Sequence, residues 1–253
     1  RCFMSKERNT IEFKTWGRYA MFTDPLTRIG GEKCSYHVPT YEALKGVAKS
    51  IYWKPTFIWI IDEVRVMKRI RTQTKGTKPL KFGGGGHDLS IYTFLTGDPD
   101  PISGVPSVEY QVRAHFEWNK HRPELEQDRN EHKHFQIAGR MLERGGRQDI
   151  FLGTRDCQGY VAPCEFGSGN GDYDSYGELA FGVMFHGFDY PDETGRNELA
   201  TRFWRPTMIN GAIRFVRPEE CDIRKVVHGM TPKLFGVGKN LVDVTIEADR
   251  AEV

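Results

Sequence analysis

No stretch of this 253-residue chain approaches the about 20 apolar residues of a membrane-spanning helix. The first nine residues, RCFMSKERN, lack the hydrophobic core of a secretory signal, and the chain opens on Arg1 and not on Met, which leaves its start open. Cysteine is scarce: five occur, an odd number and scattered, which argues against a disulfide framework and for reduced thiols in a cytoplasmic protein. Cys157 and Cys164 have no second pair beside them, so a zinc site is not expected. The run Gly83–Gly86 is followed by His87, without the Lys-Ser/Thr and helix of a phosphate-binding loop, so it is not a nucleotide motif. No long internal repeat is visible. Acid is missing from one stretch: Arg65, Lys68, Arg69, Arg71, Lys75, Lys78 and Lys81 follow one another with no Asp or Glu between. Base is nearly missing from another: Asp172 to Glu198 holds seven acids and only Arg196. A net charge of +2 says little about partners, but this separation predicts one face for a polyanion and another turned away from it. Two solvated loops of opposite sign would look the same.

With 38% hydrophobic and 28% charged residues, the composition is that of a soluble globular protein large enough for a sizeable core. Thr10 to Phe22 alternates as a strand broken at Gly17. Pro39-Thr40 opens a helix: Tyr41, Leu44, Val47, Ala48 and Ile51 recur at three and four, and Pro55 ends it, with Tyr52, Trp53 and Lys54 on its last turn. Phe57 to Val66 and Val108 to Trp118 read as strands. A second helix is expected over about 129–144, with Asp128 as cap, Glu131 in capping-box position and Ile137, Ala138, Met141 and Leu142 as its buried stripe. Gly145 and Gly146 stop it, and a strand follows from Asp149 to Thr154.

This order, β-α-β-insertion-β-α-β, predicts an α+β fold of the ferredoxin-like, split βαβ kind over residues 10–157, with a basic insertion at about 69–107. RNA-recognition modules often use that architecture. The insertion reads equally as an arm that orders on a ligand or as a plain linker. Past Cys157 the sequence turns glycine-rich, and 158–253 is expected to form a small antiparallel β domain, with Asn210-Gly211 as a hairpin turn.

The words FTDPLTRIGGEK, SYHVPTYEALKG, SIYWKP, DRNEHKHF, GGRQDIFLG, CQGYVAPCEFGSG and FDYPDETG occur in that order over about Thr10 to Lys233. In these the chain resembles the subtype I-C (Dvulg) branch of the fifth CRISPR-associated protein family, within the repeat-associated RNA-binding superfamily. The resemblance implies a ferredoxin-like domain followed by a small β-sheet domain. It implies a metal-independent endoribonuclease, without cofactor, that cuts precursor CRISPR RNA at the repeat hairpin. The product then stays bound among the other subunits of a type I-C interference complex. Carried over by motif, the catalytic positions fall on Tyr52 of IYWKP and on Lys133 and His134 of NEHKH. The leading residues and the segment from Gly84 to Ser107 depart from the pattern.

The residue types fit that chemistry. RNA can be cut without metal because its own 2′-OH can attack the next phosphorus, given a base, an acid and positive charge for the phosphorane. An imidazole with a pKa of about 6.5 is mostly neutral at pH 7 and accepts a proton, whereas a phenol at about 10 is scarcely ionised. His134 is therefore expected as base or acid, Lys133 as charge stabiliser and Tyr52 as an orienting or proton-transferring partner. A helix start, with its free amides, suits a phosphate beside them. His132 and His134, two apart on a helix, do not face each other and do not suggest a shared metal. Arg147 and Arg155, flanking the strand after Gly146, are candidate phosphate contacts. Trp53, Phe116 and Trp118 are candidate base-stacking rings, although sheet aromatics usually pack inside. Two other functions remain open: a non-catalytic subunit gripping the 5′ handle of the guide RNA, and a metal-dependent DNA nuclease.

Overall fold

The computed structural model describes residues 9–25, 32–77, 90–99 and 103–250. Lys78, Lys81 and the glycine run Gly83–Gly86, part of the basic stretch read from the sequence, lie outside them. The chain builds β1 (Thr10–Gly17), β2 (Lys33–Cys34), α1 (Tyr41–Ile51), β3 (Phe57–Val66), β4 (Arg71–Thr77), β5 (Ser90–Thr96), β6 (Val108–Trp118) and α2 (Glu131–Glu143). It continues through β7 (Ile150–Phe151), β8 (Gln158–Pro163), β9 (Glu178–Ala180), β10 (Met184–Asp189), α3 (Pro191–Thr194), β11 (Glu198–Trp204), β12 (Thr207–Ile209), β13 (Ala212–Arg214), β14 (Ile223–Gly229) and α4 (Val244–Arg250). The fold is α+β, and its sheets are mostly antiparallel.

The main sheet has eight strands in the order β7-β8-β1-β6-β3-β13-β12-β9. β6 is the central strand, antiparallel to β1 on one side and β3 on the other. α1 lies over β3, and α2 over β1 and β8. Alternation in the strands aims Phe57, Trp59 and Ile61 of β3 and Val112, Ala114 and Phe116 of β6 into the core, where Leu44, Ala48, Ile51, Ile137, Ala138 and Leu142 of the helices meet them. The Gly-rich segment after β8 crosses the opposite face. There the Phe166 amide donates to Glu12 Oε2 (2.9 Å), and the Phe166 ring lies under the Arg113 guanidinium.

Two smaller sheets flank this body. β10-β11-β14 packs against α1, with His186 stacked on Tyr41 at 4.2 Å. β2-β5-β4 holds the Arg71–Thr77 part of the basic segment as a paired strand, tied to the body by a reciprocal Ala20–Leu95 backbone pair.

Several expectations shift. The expected strand from Asp149 to Thr154 shrinks to the two residues of β7 at the sheet edge. The long pairing to β1 is made by β8, which lies just beyond the boundary read at 157/158. β9, β12 and β13 also join the main sheet. The glycine-rich texture that suggested a new domain belongs to the chain's return across this sheet. α1 ends at Ile51, and Tyr52 caps it in extended conformation (φ −159°, ψ 134°) instead of continuing its last turn. Pro55 disfavours helical backbone just before it.

The predicted separation of charge is partly undone. Arg65 is 7% exposed, and its guanidinium is held by Asp174, by Gln111 and by the Ser168 and Gly169 carbonyls. Asp172 accepts from the Arg69 amide. Other acids of that stretch also hold cations: Glu193 with Lys45 and Lys49, Asp192 with Arg122, and Asp189 with Arg202 and Arg224. These acids serve mainly as fixed counterions.

Candidate active site

The end of α1 and the start of α2 meet over β3 and β6, and this brings Tyr52 to His134. Thr40 starts α1 by accepting from the Ala43 amide (3.2 Å). At its other end the Tyr52 carbonyl accepts from Trp59 Nε1 (2.7 Å), which fixes the backbone where the phenol departs. α2 is capped by Asn130, whose Oδ1 accepts from the Lys133 amide (3.1 Å), and not by Asp128 as the sequence suggested. Asp128 ends a 3-10 turn, Pro123–Asp128, and points inward. Gly145 and Gly146 close α2 at φ +86° and +104°, with their amides on the Leu142 and Met141 carbonyls.

The Tyr52 hydroxyl and His134 Nδ1 are 2.9 Å apart, and both residues are fully buried. His134 Nε2 lies 2.7 Å from the Asp128 main-chain carbonyl. A carbonyl only accepts, so Nε2 carries the proton, and Nδ1 of the neutral ring accepts from the phenol. Phe57 and Trp118 stand edge-on to the imidazole, with ring centres 5.2 and 5.6 Å away. Burial holds the imidazole below its ordinary pKa, against the pull of Asp128, so it is neutral at pH 7. Burial raises the phenol, with Glu247 and Asp128 adding to the shift, so it stays protonated. The pair thus rests as a neutral donor facing a neutral acceptor.

Asp128 is the hub behind it. Its carboxylate accepts from Thr56 Oγ1 (2.6 Å) and the Val244 amide (2.6 Å), faces Lys54 Nζ at 3.4 Å, and lies 3.7 Å from His134 Nε2. A proton arriving on the imidazole would meet a negative charge already in place. Lys54, 3% exposed, also pairs with Glu247 of α4 at 3.0 Å. The sequence reading missed Asp128 in this role, and missed Lys54 and Glu247 altogether. Lys54 stood inside the IYWKP word, but its partners lie 74 and 193 residues away along the chain.

The remaining candidates scatter. Lys133 is half-buried on the same turn as His134, and among the described residues its ammonium has no hydrogen-bond or ion-pair partner. The site's buried cation is therefore Lys54. Arg147 pairs with Glu247, and Arg155 is exposed. On the ribbon, Arg71 pairs with Asp98, and Lys75 sits over the Tyr19 ring at 3.2 Å. Lys68 is half-buried and the Arg69 side chain exposed. Of the aromatics, Phe116 is core, Trp118 is spent on His134, and Trp53 is 40% exposed against Phe235. Among the described residues no three His, Cys, Asp or Glu side chains gather as a metal site, and no helix is long and apolar enough to cross a membrane.

The sequence pattern of the family described as CRISPR-associated protein (Cas_Cas5) matches residues 10–216. The chain is 30% identical over 167 residues to the CRISPR pre-crRNA endoribonuclease Cas5d of Mannheimia succiniciproducens, covering 61% of this chain and 72% of that protein. It is 28% identical over 201 residues to the protein of the same name from Thermus thermophilus, covering 78% and 80%. Among solved structures it resembles a CRISPR-associated protein at 33% identity and TM-score 0.69, over 85% of this chain and 96% of that one. It resembles the functionally uncharacterized SMU1763c of Streptococcus mutans at 36% identity, with the same TM-score and coverage.

Proposed function

Because the chain belongs to the Cas5 family of CRISPR-associated proteins, we propose that it is an endoribonuclease that cuts precursor CRISPR RNA at the repeat hairpin and does so without metal. The observation that carries this reading is the 2.9 Å contact between the Tyr52 hydroxyl and His134 Nδ1, with Nε2 committed to the Asp128 carbonyl. With Nε2 committed, His134 reaches the substrate through Tyr52. The 2′-oxygen attacks the adjacent phosphorus and gives its proton to the Tyr52 oxygen, as the phenol proton passes to His134 Nδ1. Asp128 stabilises the imidazolium, Lys133 steadies the charge on the phosphorane, and the 5′-oxygen leaves with a proton from solvent. The products are a 2′,3′-cyclic phosphate and a 5′-hydroxyl.

The strand order β8-β1-β6-β3, antiparallel throughout with two helices on one face, supports reading the body as ferredoxin-like. β10-β11-β14 with the segment beyond it would be the smaller second unit. Arg69, Arg71 and Lys68 on or beside the ribbon would contact the hairpin, and Arg147 and Arg155 would contact phosphates near the cut. The mature guide RNA and the other subunits of a type I-C complex are the expected partners. A cytoplasmic setting fits the four described cysteines, all free thiols.

The test is cleavage of repeat RNA in excess chelator, beside the same RNA with hydrogen replacing the scissile 2′-OH. Cutting of the first alone is the expected result. Binding without cutting would make the chain a handle-gripping subunit, and cutting of DNA only with added divalent metal would make it a DNA nuclease.

A further inference from the structure

Tyr52 and His134 are fully buried, yet a nuclease must touch its substrate. The C-terminal segment packs against the charged residues around the pair. The Val244 amide is on Asp128, the Val242 carbonyl accepts from Lys54, and the Glu247 carboxylate bridges Lys54 and Arg147. The Ala248 carbonyl reaches Arg140 of α2, and Val244 and Ala248 are buried. This segment lies beyond the residues matched by the family pattern.

Beneath it runs a groove between the end of α1 and the C-terminal half of α2. The groove is lined by Lys49, Lys54, Arg144, Arg147 and the half-exposed Trp53, and Leu241 and Val242 of the C-terminal segment form part of its wall. Glu247 is the one acid among the described residues lining it. A carboxylate between an ammonium and a guanidinium has the charge and hydrogen-bonding capacity of a phosphodiester oxygen pair. The docked face of α4 is thin, two buried apolar side chains and a few polar contacts, and segments held so lightly open at low cost.

We propose that this groove is the seat of the RNA phosphates next to the cut, with Lys54 and Arg147 as their contacts, and that Glu247 occupies the seat in the free protein until RNA displaces α4. The inference rests on the Tyr52–His134 reading of the active site. It adds Lys54 as a phosphate contact beside Arg147, and an internal competitor, to that reading. Binding of RNA then replaces one anion by another on the same cations, and lifting α4 opens the way to Tyr52.

The experiment uses the full chain and an uncleavable repeat RNA carrying hydrogen at the scissile 2′ position. Glu247→Gln keeps the shape and removes the competing charge, so affinity is expected to rise about threefold, the worth of a partly screened ion pair. Glu247→Lys is expected to raise it further. Lys54→Gln and Arg147→Gln should each weaken binding and lower the slope of log affinity against log salt by about 1. Hydrogen exchange of the amides from 244 to 250 should speed up when RNA is bound. Unchanged or weaker binding by Glu247→Gln in a chain that still melts normally would overturn the proposal, as would retained protection of α4 in the complex. Because this readout needs no cleavage, the two readings fail separately. A Tyr52→Phe chain that still cuts at full rate would sink the catalytic assignment, whereas an indifferent Glu247→Gln sinks only the internal competitor.

Discussion

Replacing Tyr52 by Phe removes one oxygen and leaves the ring, so it separates chemistry from packing. The phenol donates to His134 Nδ1 at 2.9 Å inside a pocket closed by Phe57 and Trp118. Without it Nδ1 becomes a buried acceptor with no partner, a loss of about 1–2 kcal/mol. In a chain of this length that lowers Tm by a few degrees. Against a typical stability of about 5–15 kcal/mol, nearly every molecule stays folded. The proton relay should lose far more. A positioned acid–base group contributes about 10²–10⁴-fold, or about 3–5 kcal/mol of barrier. A hundredfold loss therefore cannot come from unfolding. Single-turnover cleavage of repeat RNA in chelator, with Tm measured on the same sample, reads both quantities. A Tyr52→Phe chain cutting within about threefold of the wild-type rate would refute the relay, because no proton could then be passing through that oxygen.

Other outcomes follow from the same geometry. His186 is buried against Tyr41, and burial with Arg202 nearby pushes its pKa down to about 3. Below about pH 6.5 the unfolded chain binds a proton that the native one refuses. Stability should therefore fall from there towards pH 3, by up to about 1.4 kcal/mol per pH unit from this group. His186→Gln should flatten that part of a urea-denaturation series, and an unchanged slope would contradict the assignment. A Cβ at Gly153, at φ +96°, would stand 1.9 Å from the Met21 carbonyl oxygen, so Gly153→Ala should cost more than about 2 kcal/mol. At Gly46, inside α1 with open space around it, the same change should stabilise by about 0.5–1 kcal/mol. Thermal melts of the two variants moving in the same direction would break this contrast. Arg65→Gln should lower stability by about 2 kcal/mol, since its partners are left unpaired, and leave the salt dependence of RNA binding unaltered. A shallower salt slope would return Arg65 to the RNA interface.

What could be read from the chain was what depends on near neighbours. Thr40 before an apolar stripe and Gly145-Gly146 behind the second helix each act within a few residues, and each falls where expected, whereas the first helix ends at Ile51, short of the last turn read up to Pro55. The pairing of Tyr52 with His134 spans 82 residues and came from motif resemblance, not from any local signal. Long-range partners set the rest. Asp128 looked like a helix cap because Asp commonly is one, but Asn130 took the cap and Asp128 turned inward to Thr56, Lys54 and Val244. Arg65 looked available because its own stretch holds no acid, while Asp174 waited 109 residues on. β8 reads as six ordinary residues at the lip of a glycine-rich segment, and only its pairing with β1 makes it part of the central sheet. Nothing in DVTIEADR marked it as the cover of the site, because its amphipathic face is two side chains wide.

The central claim is that the phenol and the imidazole act as one unit. A double-mutant cycle on single-turnover cleavage tests this directly, comparing Tyr52→Phe, His134→Asn and the two combined, at one pH and in chelator. If a single proton path runs through both, the double variant is no slower than the slower single one. If the two losses simply multiply, the groups work independently, and the relay built on their 2.9 Å contact is wrong.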